Sequence, residues 1–185
     1  MKHTVYAVVI CALLLASCAK DSKPNPFLIE KTHIGLLTDS TQVKELDSIF
    51  INDSVVRFIA GDEFAGAVNT IEVFEKSGKK LLDLSPREAL DSTSLISSIR
   101  IIDERYKTEK NVSTLSTFKD IKEAYTISKI DNLINSVMVS VNEINATFTI
   151  DKKELPGELR FDMSKKIEAL NIPDTAKIKF FMIGW

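Results

Sequence analysis

"SVMVSVNEINATFTI", residues 136–150, decides the fold class. Val137, Val139 and Val141 alternate with Ser136, Met138 and Ser140, and Phe148 and Ile150 alternate with Thr147 and Thr149. Successive side chains of a strand point to opposite faces, so one face here is apolar and the other carries hydroxyls. That pattern belongs to an antiparallel sheet with one wet face. Strands of a parallel sheet are covered on both sides and read as unbroken apolar runs. The ending "KIKFFMIGW" (177–185) continues the rhythm, with Ile178, Phe180 and Met182 set against Lys177 and Lys179. It reads as the last strand of the sheet, with Trp185 over an edge of the core. A small outer-membrane barrel would fit the length, but 1 Trp and 3 Tyr are too few for two aromatic girdles.

Moving towards the N-terminus, "SVVRFIA" (54–60), "NTIEVFE" (69–75) and "KKLLDLS" (79–85) are strand-like, with Ser77-Gly78 as a hairpin turn between the last two. "LISSIRIID" (95–103) is rich in isoleucine and reads as a central strand. Two blocks differ in period. "TDSTQVKELDSIF" (38–50) and "STLSTFKDIKEAY" (113–125) each open on hydroxyls and then place apolar residues at i, i+3 and i+7, one face of a short helix. At a constant offset of 75, Thr38 matches Ser113, Thr41 matches Ser116, Val43 matches Phe118, Leu46 matches Ile121 and Phe50 matches Tyr125. Asp39 with Gln42 forms a candidate capping box; Ser116 or Thr117 is the cap expected for the second helix, with Asp120 near its positive end. A third helix is expected from Asp162 to Leu170, burying Met163, Ile167 and Leu170 and stopped by Asn171 and Pro173.

The order is therefore helix, three or four strands, helix, three strands, helix, strand. Strands next to strands, without strand–helix alternation, give an α+β fold: an antiparallel sheet with short helices. The matched blocks suggest two related helix-plus-strands halves, 28–107 and 108–185, packed as one unit. Coincidence is the competing explanation, because short amphipathic helices look alike.

The N-terminus reads as a targeting segment. Lys2 supplies a positive start, and 5–16 is an apolar run of about a dozen residues, shorter than the ~18 or more of a spanning helix. Leu15-Ala16-Ser17-Cys18 then presents a branched aliphatic, two small residues and a cysteine. This resembles the lipobox of bacterial lipoproteins, which implies removal of 1–17, a diacylglycerol thioether on Cys18 and a membrane anchor. Residues 18–27 are polar and interrupted by Pro24 and Pro26, an extended tether. Ala19, in place of Asp, resembles the sorting signal for the outer membrane. Lys20-Asp21 resembles half of the Lys-acid-acid surface-export signal of Bacteroidetes, which Ser22 interrupts. The expected location is the cell envelope, outer membrane, on either face.

That reading constrains the chemistry. Of 2 Cys, Cys11 leaves with the signal and Cys18 is lipidated; of 2 His, His33 alone remains. A zinc site of several imidazoles or thiolates is excluded, and a Ser-His-acid triad would have to use His33. With a formal net charge of −2 and no basic cluster, nothing points to nucleic acid. No phosphate loop, dinucleotide fingerprint, nucleophile elbow or H-E-x-x-H occurs, and no catalytic residue, metal or cofactor is assigned. Asp62-Glu63 in "AGDEFAG" and Asp103-Glu104 lack the spaced oxygen ligands of a calcium loop. The candidate binding residues are Phe64, at the tip of that loop, and Arg100, Arg105 and Tyr106, because Arg and Tyr are enriched in interface hot spots. Salt bridging to the neighbouring acids, and a core position for Phe64, are the alternatives.

"IGLLTDSTQVKEL", "RIIDERYKTEKNV" and "IPDTAKIKFFMIGW" resemble uncharacterised lipoproteins of Bacteroidetes, over about a quarter of the chain; no activity follows. The hydroxyl-start helix followed by antiparallel strands, present twice, resembles the module of small outer-membrane assembly lipoproteins (SmpA/OmlA), which the β-lactamase inhibitor protein carries in tandem. Those modules place glycines around the helix; Gly35 matches the first and the second repeat has none. The expectation is a non-enzymatic envelope lipoprotein that acts through contacts with another envelope protein. The alternatives are an inhibitor or immunity-type binder of a secreted enzyme and, behind it, an acid-dependent hydrolase.

Overall fold

The computed structural model describes residues 25–60, 68–161 and 163–185. Four short strands come from the chain's entry and its middle: β1 (Leu28–Ile29), β2 (His33–Ile34), β3 (Leu37–Thr38) and β8 (Lys107–Thr108). Eight others are β4 (Asp53–Ala60), β5 (Val68–Glu75), β6 (Lys80–Pro86), β7 (Ile96–Ile101), β9 (Lys129–Asn132), β10 (Ser136–Val141), β11 (Ala146–Asp151) and β12 (Ile178–Gly184). These eight form one antiparallel sheet in the order β4-β5-β6-β7-β12-β11-β10-β9. The short strands make a small second sheet, β3-β2-β1-β8, in which β1 and β8 are parallel. The helices are short: a 3-10 turn Val43–Glu45 running into α1 (Leu46–Ile49), α2 (Phe118–Ala124) and α3 (Gly157–Arg160). The fold is α+β, as expected.

The register aligns an apolar row across the whole sheet: Val55, Val73, Leu82, Ile101, Phe181, Phe148, Val139 and Ile130. This inner face packs with Val43, Leu46 and Phe50 of the first helical segment and Phe118, Ile121 and Tyr125 of the second into one core. Phe148 and Phe181, both fully buried with centroids 4.6 Å apart, sit in its middle. Burying each such ring contributes about 1.5–3 kcal/mol.

The two hydroxyl-start blocks build the same local device. Thr41 Oγ1 accepts from the Thr38 N–H (2.9 Å), as Ser116 Oγ accepts from the Ser113 N–H (3.0 Å). The Gln42 N–H donates to the Glu45 carboxylate (2.8 Å), and the Thr117 N–H to that of Asp120 (2.7 Å). Each helix start is then stitched to the start of a late strand. Val43 N–H donates to Ser94 O (3.0 Å) and Ile96 N–H to Thr41 O (3.2 Å); Phe118 N–H donates to Ala176 O (2.9 Å) and Ile178 N–H to Ser116 O (3.4 Å). Each time a helix precedes a four-stranded meander, β4 to β7 or β9 to β12, and the meanders meet through their last strands, Ile99 opposite Ile183.

Four expectations are corrected. The first helix is capped at Gln42 by Glu45, three residues on from the expected Asp39, because the chain first closes the Thr38–Thr41 turn. The third helix is not formed over 163–168. Asn132 Nδ2 holds Lys165 O at 2.9 Å, which ties that segment across β9; Ile167 is buried, but Met163 and Leu170 stay exposed, and a 3-10 turn occupies Ala169–Asn171. β9 is the third strand expected between the second and third helices, though no stretch was assigned to it, and the small sheet was not expected from sequence. Lastly, β12 turns the opposite face inward: Phe181 and Ile183 are buried, while Phe180 and Met182 lie on the outer face. The register slips opposite Thr149/Ile150, Thr149 facing Phe180 and Ile150 facing Ile178, so Lys179 is an extra residue that reverses the parity after Ile178. Among the described residues no helix is long and apolar enough to cross a membrane.

Candidate functional site

Behind the core row, the opposite face of the sheet is open. One outer row also crosses every strand: Val56, Glu72, Asp83, Arg100, Met182, Thr147, Ser140 and Lys129. A second row sets Phe180, Thr149, Met138 and Asp131 side by side. The face thus divides in three. Charges occupy β5 to β7, Phe180 and Met182 stand on β12, and hydroxyls fill β11 and β10 around Met138, as far as Lys129 and Asp131 on the edge strand β9.

The charged third is internally paired. Lys80 bridges Glu72 and Asp83, at 2.6 Å from the latter, and Arg100 Nε lies 3.3 Å from Asp83. Burial works against the Lys80 ammonium, but Asp83 and Glu72 outweigh it and hold its pKa above the ordinary value. Asp83 Oδ1 and Arg100 Nε are buried and held by these ion contacts in place of well-aligned hydrogen bonds. The Arg100 guanidinium lies over the Phe180 ring at 4.9 Å, with the Lys179 ammonium 5.6 Å from the same ring.

The sequence-derived candidates do not converge. Arg100 is on the open face. Arg105 and Tyr106 sit at the end of the sheet, where they clamp the entering chain. Arg105 grips Asp103 (2.7 and 3.0 Å) and Glu75 (2.6 Å) and stacks on Phe27 at 4.5 Å. Tyr106 is buried, edge-on to Phe27 at 5.1 Å, so it presents nothing to a partner; burial, then the Asp53 and Asp103 charges, raise its phenol well above the ordinary value. Asp103 is itself buried. Desolvation alone would raise its pKa, but hydrogen bonds from the Arg105 side chain and backbone and from Lys79 hold it at about 2. Cys18, Phe64, Asp62 and Glu63 lie outside the described residues. His33 is exposed, its Nδ1 2.9 Å from Thr32 Oγ1.

No catalytic constellation is assembled around these residues. An open depression of about 830 Å³ beside α2 is lined by Glu104, Lys107, Lys110, Asp120 and Glu123, charges of both signs, and by the buried Ser113 and Ser116, whose hydroxyls accept from the Leu115 and Ser113 N–H groups of the turn before the helix. Among the described residues no group of three His, Cys, Asp or Glu side chains could hold a metal ion.

Phe180, Met182 and Met138 were missed as site residues. Met138 was visible, since it falls among the hydroxyls of a strictly alternating strand. Phe180 and Met182 were not, because "FFMI" is apolar at both parities and only the lysines at 177 and 179 suggested a face.

No family model matches the chain, and no curated protein matches it. Among solved structures, the crystal structure of the uncharacterized protein yfeY from Escherichia coli is similar, with a TM-score of 0.57 and 15% identity over 85% of this chain and 99% of that one. That likeness concerns the fold alone.

Proposed function

We propose that this chain is an envelope lipoprotein, anchored through Cys18, that acts without catalysis by binding another envelope protein on the open face of its sheet. The observation that carries the docking part is the uninterrupted outer face, with Phe180 and Met182 on its central strand β12, Arg100 on one side and, on the other, hydroxyls with Met138 among them. At ~4.8 Å between strands and ~3.3 Å per residue, eight strands of about six residues span about 34 by 20 Å. The resulting area of about 700 Å² is close to the ~800 Å² that each partner gives to a stable complex. Arg, Met and aromatic side chains are enriched in such interfaces, and hydroxyls on a rigid sheet offer hydrogen bonds at small entropic cost. The anchor is supported by the Leu15–Cys18 motif and the polar tether after it.

The test is an affinity pull-down of the lipidated protein from its own envelope, read by mass spectrometry. Beside it run Cys18→Ala and the face variant Phe180→Ala/Met182→Ser. Release of Cys18→Ala into the soluble fraction supports the anchor. A stoichiometric partner lost from the face variant supports the docking surface, since a hot-spot pair is worth ~2 kcal/mol or more, about thirtyfold in affinity. A partner retained equally by wild type and face variant rules that surface out.

A further inference from the structure

Where β11 ends and β12 begins, a pocket is lined by Lys152, Lys153, Arg160 and Lys179, with Asp151 the carboxylate among its described lining residues. Lys152 is only 4% exposed, and its ammonium's side-chain contact is Met163 Sδ at 3.3 Å. A thioether is a weak acceptor for a group with three donors, and a buried charge without a counter-charge is costly. Asp151 does not supply that counter-charge: its Oδ2 is 3.0 Å from Lys179 Nζ and 4.0 Å from Lys153 Nζ. Arg160 donates Nε to Leu155 O at 2.7 Å and makes no ion pair with a described residue. The site is built for an anion.

Its rim identifies the anion's source. Ile134 is 75% exposed, Phe161 90% and Met163 48%, all lining the same pocket. A soluble phosphate needs the cations alone. Cations beside protruding apolar side chains suit a lipid interface, where headgroup phosphates meet the acyl boundary. The position also fits. The registers Ile150–Ile178, Phe181–Ile101 and Ile101–Leu82 put Asp151 and Lys179 at the same end of the sheet as Asp103–Tyr106, where Phe27 is clamped. We infer that this end is a membrane-contact site, in which Lys152 and its neighbouring cations seat the phosphates of anionic lipids while Phe161 and Ile134 enter the interface. The shared end of tether and pocket rests on the anchored reading; the buried ammonium and its apolar rim do not.

The test uses the full chain carrying Phe161→Trp, mixed with vesicles of brominated phosphatidylcholine, alone or with phosphatidylglycerol. Trp185 follows the far end of β12, seven residues from Ile178 and therefore about 20 Å away, and serves as the internal control. Bromine should quench the introduced indole on the anionic vesicles and leave Trp185 alone. In that background, Lys153→Gln/Arg160→Gln, exposed positions that do not burden the fold, should weaken the response about fivefold per cation removed, and added salt should weaken it too. Lys152→Met should remove it. Absence of quenching on anionic vesicles, equal quenching on neutral ones, or indifference to Lys153→Gln/Arg160→Gln each overturns the inference, as does a response of the introduced indole to inorganic phosphate alone. Sedimentation of the same samples beside Cys18→Ala reads the anchor separately. Sedimentation without quenching of that indole keeps the anchor and removes the contact site; quenching without Cys18-dependent sedimentation does the reverse.

Discussion

Asp103 should make this protein lose stability in acid in a way that one substitution abolishes. Its side chain is buried and held by Arg105 at 2.7 Å and Lys79 at 3.1 Å. Desolvation raises its pKa, but those hydrogen bonds dominate and bring it from 3.8 to about 2. A carboxylate with a depressed folded-state pKa contributes stability that is fully present above its unfolded value and disappears as pH falls through the folded one. At 1.36 kcal/mol per pKa unit the contribution is about 2 kcal/mol, present at pH 5 and above and lost between about pH 4 and pH 2. Asp103→Asn should therefore cost about 2 kcal/mol at pH 7, nearer that value than the ~3–5 of a broken buried pair. Neither cation is stranded: Arg105 keeps Glu75, Lys79 keeps Glu104, and both are substantially exposed. For a domain of this size the expected loss in Tm is about 4–8 °C. Guanidinium melts of both proteins at pH 7 and at pH 2.5 decide the matter. The variant should be much the weaker at neutral pH, and the gap should largely close in acid. A gap that stays constant with pH would refute the reasoning, since the lost interaction would then not depend on the Asp103 charge.

Gly35 has φ +58°, and a Cβ there would stand 2.2 Å from the Pro26 carbonyl oxygen. Gly35→Ala should cost more than the ~1 kcal/mol of left-handed strain and free residues 25–29 from the small sheet, read as faster amide exchange at Leu28 and Ile29; unchanged exchange there would dismiss the clash. Glu45 and Asp120 accept from the N–H groups of Gln42 and Thr117 at matching places in the two halves. Glu45→Ala and Asp120→Ala should each lose about 0.5–1 kcal/mol in denaturant melts. A difference of several kcal/mol between them would show that the two helix starts are not equivalent.

What the sequence revealed follows from the range of the interactions. The hydroxyls spaced 75 residues apart were readable because each bonds a backbone group three residues away, a contact that needs no partner from elsewhere in the chain. Strands β10 and β11 were readable because their parity never breaks over 136–141 and 146–151. β12 failed where a local slip, visible only against its neighbour β11, carried Phe180 and Met182 outward. The expected helix at 162–170 failed for a similar reason, because a side chain from β9 captures its backbone. β9 holds one core-facing apolar residue, Ile130, and the small-sheet strands are two residues long, too short for any period to register. Of the site, Arg100 was visible as a residue type; the aromatic beneath it was not.

The two meanders differ most in the link between their third and fourth strands. In the first half, β6 passes to β7 through residues 87–95, a link held by Ser94 Oγ accepting from the Glu88 N–H at 2.8 Å. The geometry of joining those strands therefore needs no more than this. The second half uses residues 152–177 for the same step and still delivers the same stitches to its helix. The additional length adds Leu155, Ile167, Ile172 and Ala176 to the core, but it also leaves Phe161 and Leu170 largely in solvent, an arrangement that folding alone disfavours. It also contains three of the four cations of the buried-lysine pocket, Lys152, Lys153 and Arg160. The open face, in contrast, lies on strands common to both halves and continues without a gap across their junction. A segment that is longer than the join requires, exposes apolar surface and buries an ammonium beside a thioether is where contact with a second phase would be built.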